Sequence, residues 1–126
     1  MSNKILICDD EPHIRMLLEQ TLEDLEDEGV ELLIATNGQE GLDTILEERP
    51  QLVFLDVMMP KLSGFEVCEK VKKEHGISDV KIVLLTAKGQ EVDRERGLSA
   101  GADEYFTKPF DPDDIYDFAS ETLGIE

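Results

Sequence analysis

Runs of apolar residues alternate with amphipathic segments five times along the chain. Apolar side chains fill the short runs almost without interruption, whereas in the longer segments they return every three or four positions, as Ile14, Leu18 and Leu22 do. The first pattern is typical of buried strands, and the second is typical of helices that pack on one face. The sequence therefore predicts five strand and helix units, with strands at residues 5–8, 32–35, 52–55, 82–85 and 105–107.

Residues that favour helix starts follow the predicted strands. Ser63 and Glu66 have the spacing of a capping box, in which each side chain bonds to the backbone of the other residue. The segment between the fourth and fifth strands has few apolar residues, so we expect its helix to be the least firmly anchored. The other helices are expected to begin at Pro12, after Asn37 and at Asp111-Pro112.

The strand pattern also indicates how the sheet is built. Strands one, three and four are apolar at successive positions rather than at alternate ones, which indicates burial on both faces and a parallel sheet between two layers of helices. Right-handed connections between five such units favour the strand order 2-1-3-4-5. We therefore predict an α/β fold with a doubly wound, flavodoxin-like parallel sheet. The length of 126 residues predicts one domain over residues 1–126, without room for a separate output domain.

Polar residues stand where four of the predicted strands end. Asp9 and Asp10 follow the first strand, Asp56 the third and Thr86 the fourth, and Lys108 closes the fifth. Carboxyl ends of parallel strands meet at one edge of the sheet, where such folds hold ligands. Grouped carboxylates repel one another unless a cation lies between them, and an all-oxygen site suits Mg²⁺. The sequence thus predicts a magnesium site beside Asp9, Asp10 and Asp56.

Composition narrows the classes of function. The chain has 30 acidic and 12 basic residues, a net charge of −18, so direct contact with nucleic acid or with anionic lipid is disfavoured. No apolar stretch approaches the length that spans a membrane, and the first residues do not resemble a signal peptide. Cys8 and Cys68 lack paired spacing and are expected to be buried, reduced thiols. We expect a cytoplasmic protein without membrane insertion.

Four segments together resemble the receiver domain of two-component response regulators: residues 4–12, 56–64, 85–87 and 101–110. The resemblance covers almost the whole chain, and it implies the five-unit receiver fold and phosphorylation of an aspartate with Mg²⁺. Carried over position by position, the resemblance implies that Asp56 is the phosphoacceptor. It implies that Mg²⁺ is held by Asp9, Asp10, Asp56 and the main-chain carbonyl of Met58. It also implies that Thr86 and Lys108 contact the phosphoryl group and that Tyr105 reorients with Thr86.

The main interpretation is a stand-alone receiver that is not itself an enzyme. It would accept phosphate from a histidine kinase or a histidine phosphotransfer protein and present a changed surface to a downstream protein. One alternative is a Mg²⁺-dependent phosphatase with an aspartate nucleophile, but such enzymes generally carry a second Asp where this chain has Met58. Another alternative is a receiver that binds partners without phosphate, although all five residues of the predicted pocket are present.

Three further expectations concern single features of the sequence. The bond between Lys108 and Pro109 is predicted to be cis, because the chain must turn there while it aims Lys108 at the pocket. In the family that the chain resembles, side chains two residues after the phosphoacceptor and two after the Thr assist hydrolysis. Here these are Met58, which orients water poorly, and Lys88, which cannot accept a proton while charged, so we predict a long-lived phosphorylated form. The last helix carries acidic residues and no Lys or Arg, so we expect no dimer through helices four and five.

Overall fold

The computed structural model describes residues 3–87 and 92–125, in which strands and helices alternate along the chain. A π-helical turn, Lys70–Glu74, directly continues the third helix. The strands are β1 Asn3–Cys8, β2 Val30–Ala35, β3 Leu52–Asp56, β4 Lys81–Ala87 and β5 Glu104–Lys108. The helices are α1 Pro12–Glu26, α2 Gly38–Glu48, α3 Gly64–Glu69, α4 Val92–Ala100 and α5 Pro112–Leu123.

All five strands are parallel and lie in the order β2-β1-β3-β4-β5, which confirms the predicted fold. Every residue of β3 is buried, as expected for a central strand covered on both faces. Side chains of β1 alternate between two apolar clusters, with Leu6 in one and Ile5 and Ile7 in the other. Each fully buried aliphatic side chain contributes roughly 1.5–3 kcal/mol relative to an exposed one, so these clusters hold the strand ends in place.

The predicted helix starts at residues 63 and 111 are confirmed. Ser63 and Glu66 form the full capping box, and the Asp111 carboxylate accepts from the amide of Asp113. Helix α1 begins at Pro12, but its N-cap residue, Glu11, makes no capping hydrogen bond with its side chain. The Glu11 carboxylate is therefore available for contacts outside its own helix.

Helix α4 is weakly anchored, as the sequence predicted. Among its residues 95–100, only Gly97 and Ala100 are buried, and Leu98 is 54% exposed.

Cys8 and Cys68 are free and buried, and burial raises the pKa of each thiol to about 12. None of the helices in the described part of the chain combines the length and the apolar character needed to span a bilayer.

Candidate functional site

Two buried carboxylates mark the carboxyl edge of the sheet beside β1 and β3. Asp9 directly follows β1 and is fully buried, and its amide donates to the carbonyl of Ala35 in β2 at 3.2 Å. Asp56 is the last residue of β3, and its side chain is 5% exposed. The chain leaves β3 through a tight loop in which the Gly64 amide donates to the carbonyl of Val57 at 2.9 Å. A Cβ at position 64 would lie 2.4 Å from the Asp56 carbonyl oxygen, so this loop requires glycine.

Lys108 reaches both carboxylates from the end of β5. Its Nζ lies 3.0 Å from Asp9 Oδ2 and 3.2 Å from Asp56 Oδ1. The bond between Lys108 and Pro109 is cis, which confirms the prediction. The fold therefore brings a strand-end lysine against two strand-end aspartates, as the positions of these residues in the sequence suggested.

Glu11 is a member of this group that the sequence reasoning missed. Its carboxylate accepts from Lys108 Nζ at 3.3 Å, and its amide donates to Asp9 Oδ1 at 2.9 Å. The same carboxylate lies 3.3 Å from Nε2 of the exposed His13. The available signal was an uninterrupted acidic run after the first strand, because a third acid directly after Asp10 cannot lie far from the first two.

The geometry also supports the predicted cation site. Oxygen atoms of Asp9, Asp10, Glu11 and Asp56 lie within 4.8 Å of one another. Asp10 is exposed, so the cluster opens to solvent on one side while Asp9 and Asp56 close the other. Carboxylate oxygens are ligands for hard cations, and one open side leaves room for the several waters that Mg²⁺ retains. The donor set fits Mg²⁺.

Burial and mutual repulsion make ionised carboxylates costly at this site. Burial and, to a smaller extent, the neighbouring Asp9 carboxylate raise the pKa of Asp56 to about 7, against the opposing effect of Lys108. Burial alone would lower the pKa of Lys108, but Asp56 and Asp9 raise it above its ordinary value. The lysine therefore remains an ammonium, and the excess negative charge around it favours a bound cation.

The remaining predicted residues occupy the same end of the sheet. Thr86 is 2% exposed and follows Leu85, the residue of β4 that pairs with Asp56. Tyr105 in β5 is half-buried and packs against the cluster that contains Leu84. Met58 is 67% exposed beyond Val57. Among the described residues, no hydrogen bond or ion pair joins Thr86 or Met58 to the carboxylates, and Lys88 lies outside the described part of the chain.

Comparisons with known proteins agree on one family. The sequence model named "Response regulator receiver domain" matches residues 5–120. The "Probable transcriptional regulator ycf27" of Porphyra purpurea is 49% identical over 112 residues, which are 89% of this chain and 44% of that protein. The alkaline phosphatase synthesis transcriptional regulatory protein PhoP of Bacillus subtilis is 43% identical over 115 residues, 91% of this chain and 46% of that protein. The chain thus spans less than half the length of these relatives.

Solved structures give the same result. The beryllofluoride-activated receiver domain of DrrB from Thermotoga maritima has a TM-score of 0.84 at 31% identity, covering 98% of this chain and 99% of that chain. The chemotaxis protein CheY4 of Vibrio cholerae has a TM-score of 0.82 at 28% identity, with 98% and 100% covered. The likeness therefore extends over the full described fold rather than over a shared sheet alone.

Proposed function

The chain belongs to the response regulator receiver domain family, whose members act as phosphoacceptors in two-component signalling, and we propose that Asp56 is the residue that accepts the phosphoryl group. One observation carries this proposal: the Lys108 ammonium lies within 3.2 Å of both Asp56 and the buried Asp9. A carboxylate can attack phosphorus only when charge on the transferred group is neutralised. A fixed ammonium beside the nucleophile supplies part of that neutralisation.

The cluster of acids would hold Mg²⁺, which would neutralise the phosphoryl oxygens during transfer. Its ligands would be carboxylate oxygens of Asp9, Asp10 and Asp56 with the main-chain carbonyl of Met58. Asp56 must be ionised to attack. Its pKa of about 7 without a bound cation means that the metal-free site disfavours the ionised carboxylate. A divalent cation among the acids favours the ionised form and therefore the nucleophile.

The transfer itself would be a direct displacement. An oxygen of the ionised Asp56 forms a bond to phosphorus while the bond from phosphorus to an imidazole nitrogen of the donor breaks. Lys108 remains an ammonium throughout, because its neighbours raise its pKa. Thr86 would donate its hydroxyl to the new phosphoryl group, and Tyr105 would reorient as Thr86 moves, so phosphorylation would change the surface near β5.

The partners follow from this chemistry. A histidine kinase or a histidine phosphotransfer protein would supply the phosphoryl group, and the domain would meet this donor in the cytoplasm. The net charge of −18 opposes direct contact of this domain with nucleic acid, so we propose that it signals through a downstream protein. An aspartate-based phosphatase is disfavoured, because Met58 occupies the position of its acid and base residue and cannot transfer protons.

Intact-mass analysis after treatment with acetyl phosphate and Mg²⁺ tests the proposal. We expect one phosphoryl group on the wild-type chain and on Asp24→Asn, an exposed carboxylate of α1 that serves as the matched control. We expect none on Asp56→Asn and none on the wild-type chain in EDTA. Equal labelling of Asp56→Asn would overturn the assignment of the phosphoacceptor, and equal labelling in EDTA would overturn the role of Mg²⁺.

A further inference from the structure

The outer edge of β2 is an open sheet edge. In the described part of the chain this strand pairs with β1 alone, and it lies at the opposite side of the sheet from β5. The strand runs for six residues, Val30–Ala35, and contains neither Pro nor Lys, two residues that commonly block such edges. Its outward backbone groups can therefore pair with another extended segment.

Grooves with apolar floors flank this edge on both faces of the sheet. On the α1 side, Met16 is 58% exposed and lies beside Leu32. On the α2 side, the groove is lined by Leu33. Ile34 is 36% exposed, and because side chains alternate along a strand it lies on the same face as Leu32. The grooves share Leu32, so they form one surface around the strand, which we call the β2 edge groove. Its lining also includes Glu19, Gln20, Glu23, Glu26, Glu31, Thr44, Glu47 and Glu48.

Most of the negative charge of this surface has no salt-bridge partner. Glu48 forms a salt bridge with Lys4 at 2.7 Å, and this contact and the nearby Glu31 raise the pKa of Lys4. The salt bridges among the described residues include no partner for the other five glutamates of the groove, which are Glu19, Glu23, Glu26, Glu31 and Glu47. Two copies of this edge would bring like charges together, so the groove disfavours self-association and favours a cationic occupant.

We propose that the β2 edge groove docks an extended basic segment of a partner protein, which adds to the sheet as a sixth strand beside β2. Its backbone would bond to the open edge, its apolar side chains would cover Met16, Leu32 and Ile34, and its Lys or Arg side chains would reach the glutamates on either side. An extended segment fits better than a helix, because a helix has no backbone groups free to match those of β2. The surface is separate from the phosphoacceptor site, so docking and phosphorylation can occur on one molecule.

The test uses the folded full chain and a fluorescein-labelled peptide, acetyl-Lys-Lys-Val-Ile-Arg-Lys-Val-amide, which carries cationic and apolar side chains on both faces when it is extended. Anisotropy gives the affinity, and amide NMR shifts give the location. We expect saturable binding with the largest shifts in Val30–Ala35. A peptide with the same side chains but N-methylated at every amide should not bind, since neither of its edges can then pair with β2. Equal binding of both peptides, or shifts centred elsewhere, would overturn strand addition.

Two pairs of substitutions distinguish peptide binding by the glutamates of the groove from attraction by the net charge of the chain. Glu23→Gln combined with Glu47→Gln neutralises one charge in each groove, and we expect it to weaken peptide binding by about fivefold. The control combines Glu69→Gln with Glu121→Gln, which removes the same charge from exposed positions on α3 and α5. The control should bind like the wild-type chain. Equal weakening by both pairs would show that only net charge attracts the peptide, and it would overturn the docking site.

Discussion

Replacing Asp56 with Asn should stabilise the metal-free protein at neutral and alkaline pH. The Asp56 side chain is 5% exposed, and its pKa rises from 3.8 to about 7. Because the folded-state pKa is the higher one, this group favours folding fully only below about pH 4, and its contribution is lost as the pH rises through 7. At pH 8 the wild-type chain must keep an unfavourable charge in the fold, whereas an amide carries none.

The size of the effect follows from the shift. A difference of about three pKa units corresponds to about 4 kcal/mol at 1.36 kcal/mol per unit. The substitution also removes the ion pair between Asp56 and Lys108, which reduces the net gain. We therefore expect the unfolding free energy of Asp56→Asn to exceed that of wild type by about 2–4 kcal/mol at pH 8. Lys108 keeps Asp9 and Glu11 as partners in this variant, so the change leaves no ammonium unpaired.

Urea unfolding in EDTA at pH 5 and pH 8 measures this difference. The gap between Asp56→Asn and wild type should be larger at pH 8, and saturating Mg²⁺ should narrow it by stabilising wild type, by about 2.7 kcal/mol at one hundred times the dissociation constant. Asp24→Asn, the exposed control, should change stability little at either pH. An Asp56→Asn chain no more stable than wild type at pH 8, or a gap equal at both values of pH, would refute this electrostatic account.

Four other outcomes test other parts of the site. Gly64→Ala should lower the unfolding free energy by about 1–3 kcal/mol in urea, because the new Cβ would meet the Asp56 carbonyl; unchanged stability would contradict the tight loop. Lys108→Gln should slow phosphorylation by acetyl phosphate by roughly a hundredfold, as measured by intact mass; a rate like wild type would exclude its proposed role. Met58→Asn should speed the first-order decay of the phosphorylated chain, because an amide can orient water and Met cannot; equal decay would remove the predicted long lifetime. Sedimentation of the beryllofluoride-treated chain should show no dimer through α4 and α5, since α5 is acidic without Lys or Arg; cross-links between these helices would contradict this.

The fold could be predicted because its signals are local. Continuous apolar runs set the strands, and the burial of every β3 residue shows why they are continuous. The observed strands are longer than the predicted ones: β2 begins at Val30 rather than at residue 32, and β4 extends to Ala87 rather than to residue 85. These extra residues lie at strand margins, where Glu31 and Lys81 interrupt the apolar pattern but backbone pairing continues.

The sequence analysis missed features that depend on contacts between residues far apart in the chain. Glu11 precedes a helix, where an acidic residue ordinarily caps its own helix. Its contact with Lys108, 97 positions away, is visible only in the fold. The π-helical turn was also missed, because Val71 continues the apolar spacing of α3. In that turn the Lys72 ammonium donates to the Val80 carbonyl at 2.6 Å and pairs with Asp103 at 3.0 Å, and no local pattern encodes these contacts.

The contact between Asp9 and Lys108 joins residues 99 positions apart. The ribosome therefore releases the acidic residues and the whole of β3 long before it adds the lysine. A nascent or truncated chain that stops short of β5 carries the aspartates without the ammonium that neutralises them. In the proposed mechanism, competence for phosphorylation arrives only when β5 joins the sheet, so a kinase would act on chains in which the whole domain has been synthesised.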